Sequence, residues 1–304
     1  MSGNPIRLKE ADNRRFRGTR LPGSTLYKSE GGGFKMTLQQ YRQVNFSLCL
    51  RHYQFSEKNK IYTKELIGNF RLEIVLSGEL PIRHPDGEET VLLPGQYHIT
   101  DQPGFQSLFP NNSSCSYLSI YFANAFIATL DLPEPLNRVP PRAAPLVLME
   151  TIYQILHNPF NEQWRSGYYR IGLEELLFRH GTVPPFVEPG NLTSRQIATV
   201  YEIDAYMAAN LDSKITLQGI AQQVTSNSHF VRRGYELVFG VNIFDRLIQM
   251  RMDRAKYLLD NTEKPLKEIR QMVGYLTLAG FVTEFKKREG LPPNDWRKKR
   301  RKGI

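Results

Sequence analysis

Two cysteines in 304 residues are too few for a disulfide framework or a four-cysteine zinc site, and they suit a reducing cytoplasm. No run of 18 apolar residues occurs, so no membrane-spanning helix is expected. The opening segment MSGNPIRLKEADNRRFRG has no apolar stretch of the secretory kind. The six histidines, His52, His84, His98, His157, His180 and His229, make no H-x-H or H-x-x-x-H pair. His84 and His98 could meet across a hairpin, but they read as ordinary turn or surface residues. There is no G-x-x-x-x-G-K-[ST] loop and no G-x-S-x-G, and Gly31–Gly33 does not lead into a suitable helix. These gaps leave no motif for metal, nucleotide or acyl chemistry, so no metal, no cofactor and no enzyme activity are expected. Cys49 and Cys115 sit in strand-like segments and read as buried and inert, with a redox-sensing pair as the alternative.

What is present is positive charge, unevenly spread. Lysine and arginine number 40 against 30 acids, a net of +10. Residues 1–190 hold 20 basic and 18 acidic side chains, whereas 191–304 hold 20 and 12. The last six-cation run is Arg297, Lys298, Lys299, Arg300, Arg301, Lys302. A basic terminal domain on a near-neutral body is the distribution of a nucleic-acid-binding module. A solvated tail is the plainer reading of the run by itself. The hydrophobic share of 40% and charged share of 23% are those of a chain that can bury a core.

The pattern divides the chain. Residues 1–35 read as a flexible arm. In 36–132 strands alternate with tight turns: Phe70, Leu72, Ile74 and Leu76 alternate with Arg71, Glu73 and Val75, and turns fall at Ser77-Gly78, Pro85-Asp86-Gly87 and Pro94-Gly95. This predicts a small antiparallel barrel or double-sheet roll. In 133–183, Leu146, Met149, Ile152, Tyr153 and Leu156 follow helical spacing, and a second helix runs from Trp164 to Phe178 with Tyr168, Ile171, Leu176 and Leu177 among its apolar positions. These helices either cap the barrel or pair with another chain. The stretch 184–192, from Pro184-Pro185 to Pro189-Gly190, reads as the linker.

Residues 193–304 are helical throughout. Thr193 and Gln196 suit a capping box, ahead of the stripe Ile197, Val200, Ile203 and Met207. A short helix with Leu217, Ile220, Ala221 and Val224 meets a turn at Thr225-Ser226, and Asn227 suits the next N-cap. In the following helix Val231, Tyr235 and Val238 share one face and His229, Arg232, Arg233 and Glu236 another, which is the helix-turn-helix arrangement. A linker helix from Ile243 to Leu259 carries Phe244, Leu247, Ile248, Ala255, Leu258 and Leu259, interrupted by Arg251. The pattern then restarts with Leu266, Ile269, Met272 and Val273, a turn at Gly274-Tyr275, and Phe281 and Phe285. The fold class is therefore α+β: an antiparallel sheet domain with helices, then an all-α domain of two helix-turn-helix units joined by a linker helix.

Several of these residues form a specific signature: Leu217–Ala221, Arg232-Arg233-Gly234-Tyr235, Phe239-Gly240, Arg251-Met252, Ala255, Leu258-Leu259, Gly274-Tyr275, Phe281, Phe285-Lys286, Gly290, Pro293 and Trp296-Arg297. Over 204–297 the chain resembles the AraC/XylS family of bacterial transcription regulators. The form R-R-G-Y…F-G-V-N-I-F-D looks closest to the subgroup that includes siderophore-responsive members. The resemblance implies a cupin-like sensor domain in the N-terminal half, promoter DNA as a partner, RNA polymerase as a further one, and a small-molecule effector. It implies that the first recognition helix reads bases, through His229, Arg232 and Arg233, with Glu236 on the same face. Arginine can hold guanine O6 and N7 with two bonds. Phosphate contact or a surface salt bridge is the alternative for the arginines, and a plain surface residue for His229. The second unit offers Thr277, Thr283, Lys286 and Lys287.

Two departures from the family pattern stand out. Arg270 occupies a position that is usually small. The expected front of the second recognition helix, Leu278, Ala279, Val282 and Thr283, has no arginine or amide, so base reading is assigned mainly to the first unit, with van der Waals and backbone contacts from the second. Arg251, on an apolar stripe, is expected to form a structural ion pair with an acid such as Glu202 or Asp204. Arg71, Tyr97 and Tyr117 are the effector-facing candidates, subject to strand register. A homodimer is expected through 146–180. The alternatives are a nonspecific architectural nucleic-acid-binding protein and, more remotely, a metal-dependent cupin enzyme.

Overall fold

The computed structural model describes residues 8–11, 21–63, 70–102, 104–132, 139–156, 162–182 and 192–302. The flexible arm expected at 1–35 falls partly, and the linker at 184–192 and His157 fall almost wholly or wholly, outside these residues. Two compact units are present, dividing between Glu202 and Ile203. No described helix is long and apolar enough to cross a membrane.

The first unit is built from antiparallel strands, as the short alternating segments predict. Strands β1 (Lys9–Glu10), β2 (Thr25–Gly31), β3 (Phe34–Arg42), β4 (Phe46–Phe55), β6 (Phe70–Gly78), β9 (Gln96–Thr100), β11 (Ser113–Phe122) and β12 (Val139–Ala143) form one sheet in the order β1-β2-β3-β4-β11-β6-β9-β12. Strands β5 (Asn59–Thr63), β7 (Leu80–Arg83), β8 (Glu89–Leu92) and β10 (Phe105–Phe109) form a second, ordered β5-β10-β7-β8. The inner faces of the two sheets share one core that includes Tyr53, Phe55, Val75, Ile82, Phe105, Phe109 and Tyr117. The central strands are buried on both faces: β6 is buried from Arg71 to Leu76, with the charged Arg71 and Glu73 included.

Register decides which side chains face that core. Val75, Glu73 and Arg71 pair with Tyr117, Ser119 and Tyr121, and Glu73 with His98 on β9. Arg71 and Tyr117 therefore point inward, as proposed from sequence. Tyr97 does not: it pairs with Ile74 on the opposite face, where its hydroxyl accepts from Arg142 Nε at 2.8 Å and lies 3.0 Å from His180 Nδ1. The side-chain period of two puts neighbours on opposite faces. His84 and His98 are not surface residues either; both are buried, with ring centroids 5.9 Å apart.

Helix α1 (Asn124–Ile127) follows β11, and α2 (Leu146–Leu156) and α3 (Glu162–Thr182) pack together on the first unit. Tyr169 of α3 donates its hydroxyl to Pro22 O at 2.8 Å and meets Tyr41 edge-on. Ile171 is not an inward position: it is 64% exposed, and Trp164 and Phe178 are 61% and 52% exposed. Helix α4 (Ser194–Ala209) opens with the expected capping box, Thr193 N–H donating to Gln196 Oε1 at 2.8 Å and Gln196 N–H to Thr193 Oγ1 at 3.2 Å. Tyr201 of α4 donates its hydroxyl to Ala144 O, with its ring against Gly95.

The second unit is helical: α5 (Leu217–Gln223), α6 (Ser228–Phe239), α7 (Ile243–Asn261), α8 (Leu266–Met272), α9 (Leu278–Glu289) and α10 (Pro293–Lys302). Ile197, Val200, Ile203 and Met207 are all buried, as the stripe on α4 predicts. Phe244 is the exception in the α7 stripe at 38% exposed; Ile243 takes the buried place beside it. The second half of the unit is held by Met252, Leu258, Ile269, Phe281 and Phe285 among others. The cationic run continues α10 as helix through Lys302.

Candidate nucleic-acid interface

The two helix-turn-helix units repeat one geometry. In the first, Thr216 caps α5 by accepting from Gly219 N–H at 3.0 Å, and Asn227 caps α6 by accepting from Phe230 N–H at 2.8 Å. The chain turns at Thr225, which adopts a φ of +50°. In the second, Gly274 turns at a φ of +73°, and Thr277 Oγ1 caps α9 by accepting from Gly280 N–H at 3.1 Å. Both recognition helices end on a left-handed glycine, Gly240 and Gly290. Buried Val231 and Tyr235 in α6 correspond to buried Phe281 and Phe285 in α9.

The turn of the second unit is one residue longer, and Arg270 explains how it is held. Arg270 stands where the first unit has buried Ala221. Its Nη1 donates to the carbonyls of Tyr275 and, at 2.6 Å, Leu276. A buried small residue has thus been exchanged for a guanidinium that satisfies turn carbonyls. Gly274 is required at its position: a Cβ there would sit 2.2 Å from Leu211 O and 2.6 Å from Arg251 Nη2.

The outward face of α6 carries His229, Arg232, Arg233 and Glu236, all exposed. Their spacing places them on one side of a 3.6-residue helix, opposite Val231, Tyr235 and Val238. Arg233 Nη1 lies 3.3 Å from Glu236 Oε2, so one of the two arginines is partly neutralised by its own helix. On α9 the exposed residues are Leu278, Ala279, Gly280, Thr283, Lys286, Lys287 and Arg288. Val282, at the position that Arg232 holds on α6, is half-buried against the core. Thr277 spends its hydroxyl on the cap. Leu276, in the turn, is 87% exposed, an apolar side chain at the front that its non-periodic position hides from sequence reading. Arg288 is engaged by Glu284 at 2.8 Å and Gln249 at 3.1 Å.

The linker helix is pinned differently from expectation. Arg251 makes no ion pair with Asp204. Its Nε donates to Leu211 O at 3.1 Å and its Nη2 to Ser213 O at 2.8 Å, with the guanidinium 5.8 Å from the Tyr275 ring centre. Burial lowers its pKa from the ordinary arginine value, opposed by Tyr275 and Asp212. The arginine that meets Asp204 is Arg246, one and a half turns earlier, at 3.6 Å, and Tyr235 donates its hydroxyl to the same carboxylate oxygen. Asp204 and Arg246 both interrupt apolar patterns, which was the available signal. Trp296 Nε1 donates to Asp260 Oδ1 at 2.9 Å and its ring meets Phe285 edge-on, tying α10 to the second unit.

In the first unit the interior holds a polar cluster of which sequence reading found only Arg71 and Tyr117. Glu73 Oε2 accepts from His98 Nε2 at 2.6 Å, and Glu73 Oε1 lies 3.3 Å from Arg71 Nε. Burial pushes the Glu73 carboxyl up, but Arg71 and His98 outweigh it and hold it at about 2. Arg51, Ser119 and Tyr121 adjoin it. Period-two alternation puts Glu73 on the face of Arg71 but cannot show that this face is buried, which the pairing of β6 with β9 and β11 decides. No group of three or more His, Cys, Asp or Glu among the described residues is placed to hold a metal ion. Cys49 and Cys115 are both buried and neither forms a disulfide, and burial raises the Cys115 thiol.

Comparison with known proteins locates the similarity in the second unit. A model of a helix-turn-helix domain family matches residues 220–299. The bifunctional transcriptional activator/DNA repair enzyme AdaA of Bacillus subtilis is 28% identical over 95 residues, 31% of this chain and 45% of that protein. The melibiose operon regulatory protein of Escherichia coli is 24% identical over 99 residues, 33% of each chain. The transcriptional activator RhaR of Klebsiella pneumoniae is 28% identical over 97 residues, 32% of this chain and 34% of that one. The chain thus spans a third to under half of the length of these relatives. Among solved structures, the DNA-binding domain of AdpA in complex with a target DNA is 18% identical, covers 34% of this chain and 94% of that one, and has a TM-score of 0.33. ToxT from Vibrio cholerae is 11% identical over 88% of this chain and 98% of that one, with a TM-score of 0.33. The paired capped turns, the two recognition helices and the match over 220–299 make the C-terminal part of this chain a helix-turn-helix domain, similar to those of the regulators named above.

Proposed function

We propose that the chain is a sequence-specific DNA-binding transcription regulator whose N-terminal unit senses a small molecule. The observation that carries this reading is the face of α6, where His229, Arg232, Arg233 and Glu236 stand exposed on a helix fixed at both ends by Asn227 and Gly240. A helix held this way presents its side chains to a major groove at little ordering cost. The two recognition helices of one chain can address successive major-groove segments about one helical turn apart. Base reading falls to α6, and α9 adds apolar contacts from Leu278 and Ala279 and backbone contacts from Lys286 and Lys287. Thr277 and Thr283 remain at that surface, the first chiefly as a cap.

The chain acts as a dimer through 146–180 in this reading, in the cytoplasm, with RNA polymerase as a further partner. Trp164, Ile171 and Phe178 recur every seventh residue along α3 and are each more than half exposed, with Tyr168 half-buried between them. A seven-residue apolar repeat is the seam of a helix pair. No catalytic step is assigned to this chain; repair activity is named for AdaA, not for it.

The test is a titrated gel shift on a selected site with single-base replacements. Arg233→Ala or Arg232→Ala should relax preference at one base and cost about 1–3 kcal/mol, more than Thr283→Ala. An architectural protein would instead bind all sequences alike with a steep salt dependence.

A further inference from the structure

The second recognition helix has exchanged the polar groups of its base-facing end for apolar ones. Aligning the caps Asn227 and Thr277 and the terminal glycines Gly240 and Gly290 sets α9 position by position on α6. Ser226, Ser228, His229 and Arg232 then become Leu276, Leu278, Ala279 and Val282. Arg233 becomes Thr283, and the acid Glu236 becomes Lys286. In a helix-turn-helix the N-terminal residues of the recognition helix meet the base edges. At that end of α9 Leu276 is 87% and Leu278 45% exposed, and Ala279 is exposed beside them. Thr277 holds its hydroxyl on Gly280 N–H at 3.1 Å, and Gly280 has no side chain. Thr283, a turn further on, keeps a hydroxyl at the front and carries a methyl as well.

Leu276 is held in place from both sides. Its carbonyl accepts from Arg270 Nη1 at 2.6 Å, and the Thr277 cap follows it. A single exposed leucine is ordinary on a protein surface. Here two leucines and an alanine lie together, and the same helix front carries exposed Lys286 and Lys287 two turns on. Apolar groups at the base-facing end with cations beyond them match a duplex major groove, where base edges lie between phosphates. An apolar protein surface gives no use to the cations. The groove offers one apolar base-edge feature, the C5-methyl of thymine. We propose that the second unit discriminates bases chiefly by that methyl, through Leu276, Leu278 and Ala279, so that its half of the DNA site is selected for pyrimidines bearing a C5-methyl. 5-Methylcytosine puts the same methyl in the same place, so methylation of a cytosine there raises affinity with no change of sequence. This rests on the regulator role given above, in which hydrogen-bonded reading stays with α6.

The experiment uses the full chain and a duplex site selected from random sequence. Each thymine in turn is replaced by uracil, which keeps the hydrogen-bonding groups and loses only the methyl. Binding is read by gel-shift titration at fixed salt. At one or more thymines uracil should weaken binding by about three- to fourfold, the effect of one buried methyl. In Leu276→Ala or Leu278→Ala the same replacement should cost less than about twofold, because the partner of the methyl is gone. Cytosine at such a position should bind worse than thymine, and 5-methylcytosine should bind about threefold tighter than cytosine. Leu276 is exposed, so Leu276→Ala should keep the thermal midpoint of the original chain. Uracil penalties that persist undiminished in both variants overturn the proposal. So do variants that keep both the affinity and the thymine preference of the original chain, which would turn the leucines toward a protein partner. A chain that selects a DNA site yet ignores uracil at every thymine refutes the methyl contact alone. One that selects no site refutes the regulator and the methyl contact together.

Discussion

Arg246 Nε lies 3.6 Å from Oδ1 of Asp204, a carboxylate with no solvent exposure. Tyr235 donates its hydroxyl to the same oxygen, so three helices, α4, α6 and α7, converge on one buried charge. Removing one partner of a buried pair leaves the other uncompensated. Asp204→Ala should therefore destabilise the second unit by about 3–5 kcal/mol, and Tyr235→Phe by about 1–2 kcal/mol. Urea denaturation followed by circular dichroism reads both. Equal midpoints for Asp204→Ala and the original chain would refute this role.

Gly274→Ala tests the second turn. The residue needs a φ of +73° and its Cβ would sit 2.2 Å from Leu211 O. Both strain and collision act, so the loss should exceed about 2 kcal/mol. Thr225 holds the matching turn at a φ of +50° with a side chain in place. Thr225→Gly should consequently leave stability unchanged or raise it slightly, a contrast measurable by thermal unfolding.

On α6 and α9 the charges should separate by salt. Lys286→Ala and Lys287→Ala should each weaken binding uniformly across sequences and lower the slope of log K against log salt by about 1. Glu236→Ala frees Arg233 from its 3.3 Å partner and should raise affinity for nonspecific duplex. Gel-shift titrations at several salt concentrations check both.

Ile171→Glu tests association along α3. Ile171 is 64% exposed and its loss removes no core contact. Sedimentation should show a dimer for the original chain and a monomer of unchanged fold for the variant. A monomer in both cases refutes the seam.

Acid should unfold the first unit in two windows. His180 is lowered from 6.5 to about 4 by burial and by Arg142. With the folded value below the unfolded one, its stabilisation is complete above about 6.5 and is lost as pH falls through about 4. Glu73, held at about 2 against an ordinary 4.5, contributes above about 4.5 and loses its share as pH falls through about 2. The Glu73 share is about 3 kcal/mol. Thermal midpoints between pH 7 and 2 should show both slopes. His180→Asn should flatten the upper one and Glu73→Gln the lower.

The C-terminal unit was the more legible half because its information is local. Caps, a turn and a 3.6-residue stripe are set by residues within a few positions of one another, so Asn227, Thr193 with Gln196, and the stripe from Ile197 to Met207 stand in the structure as the pattern predicts. Arg251 and Arg246 were not separable in this way. Both carry charge on one helix, and which meets Asp204 depends on where α4 crosses α7. In the sheet unit the alternation of β6 put Arg71 and Glu73 on one face but suggested a half-buried strand; the structure buries both faces, because strands and a second sheet cover it, which no local pattern reports. Tyr97 faced away for the simplest reason, a register that only pairing with β6 fixes.

Composition, charge distribution and short-range spacing alone determined that this chain has a sheet-rich half, a basic helical half, and two helix-turn-helix units with an arginine-bearing first recognition helix. Each follows from propensity and periodicity along the chain. The tertiary structure alone decided that Arg246 and not Arg251 meets the buried aspartate, that Ile171 faces out, and that Arg51 lies buried beside hydroxyls while Glu73 is taken by Arg71 and His98. Those outcomes join residues far apart in sequence, and only the packing of helices and the register of strands sets the distances on which their electrostatics depend.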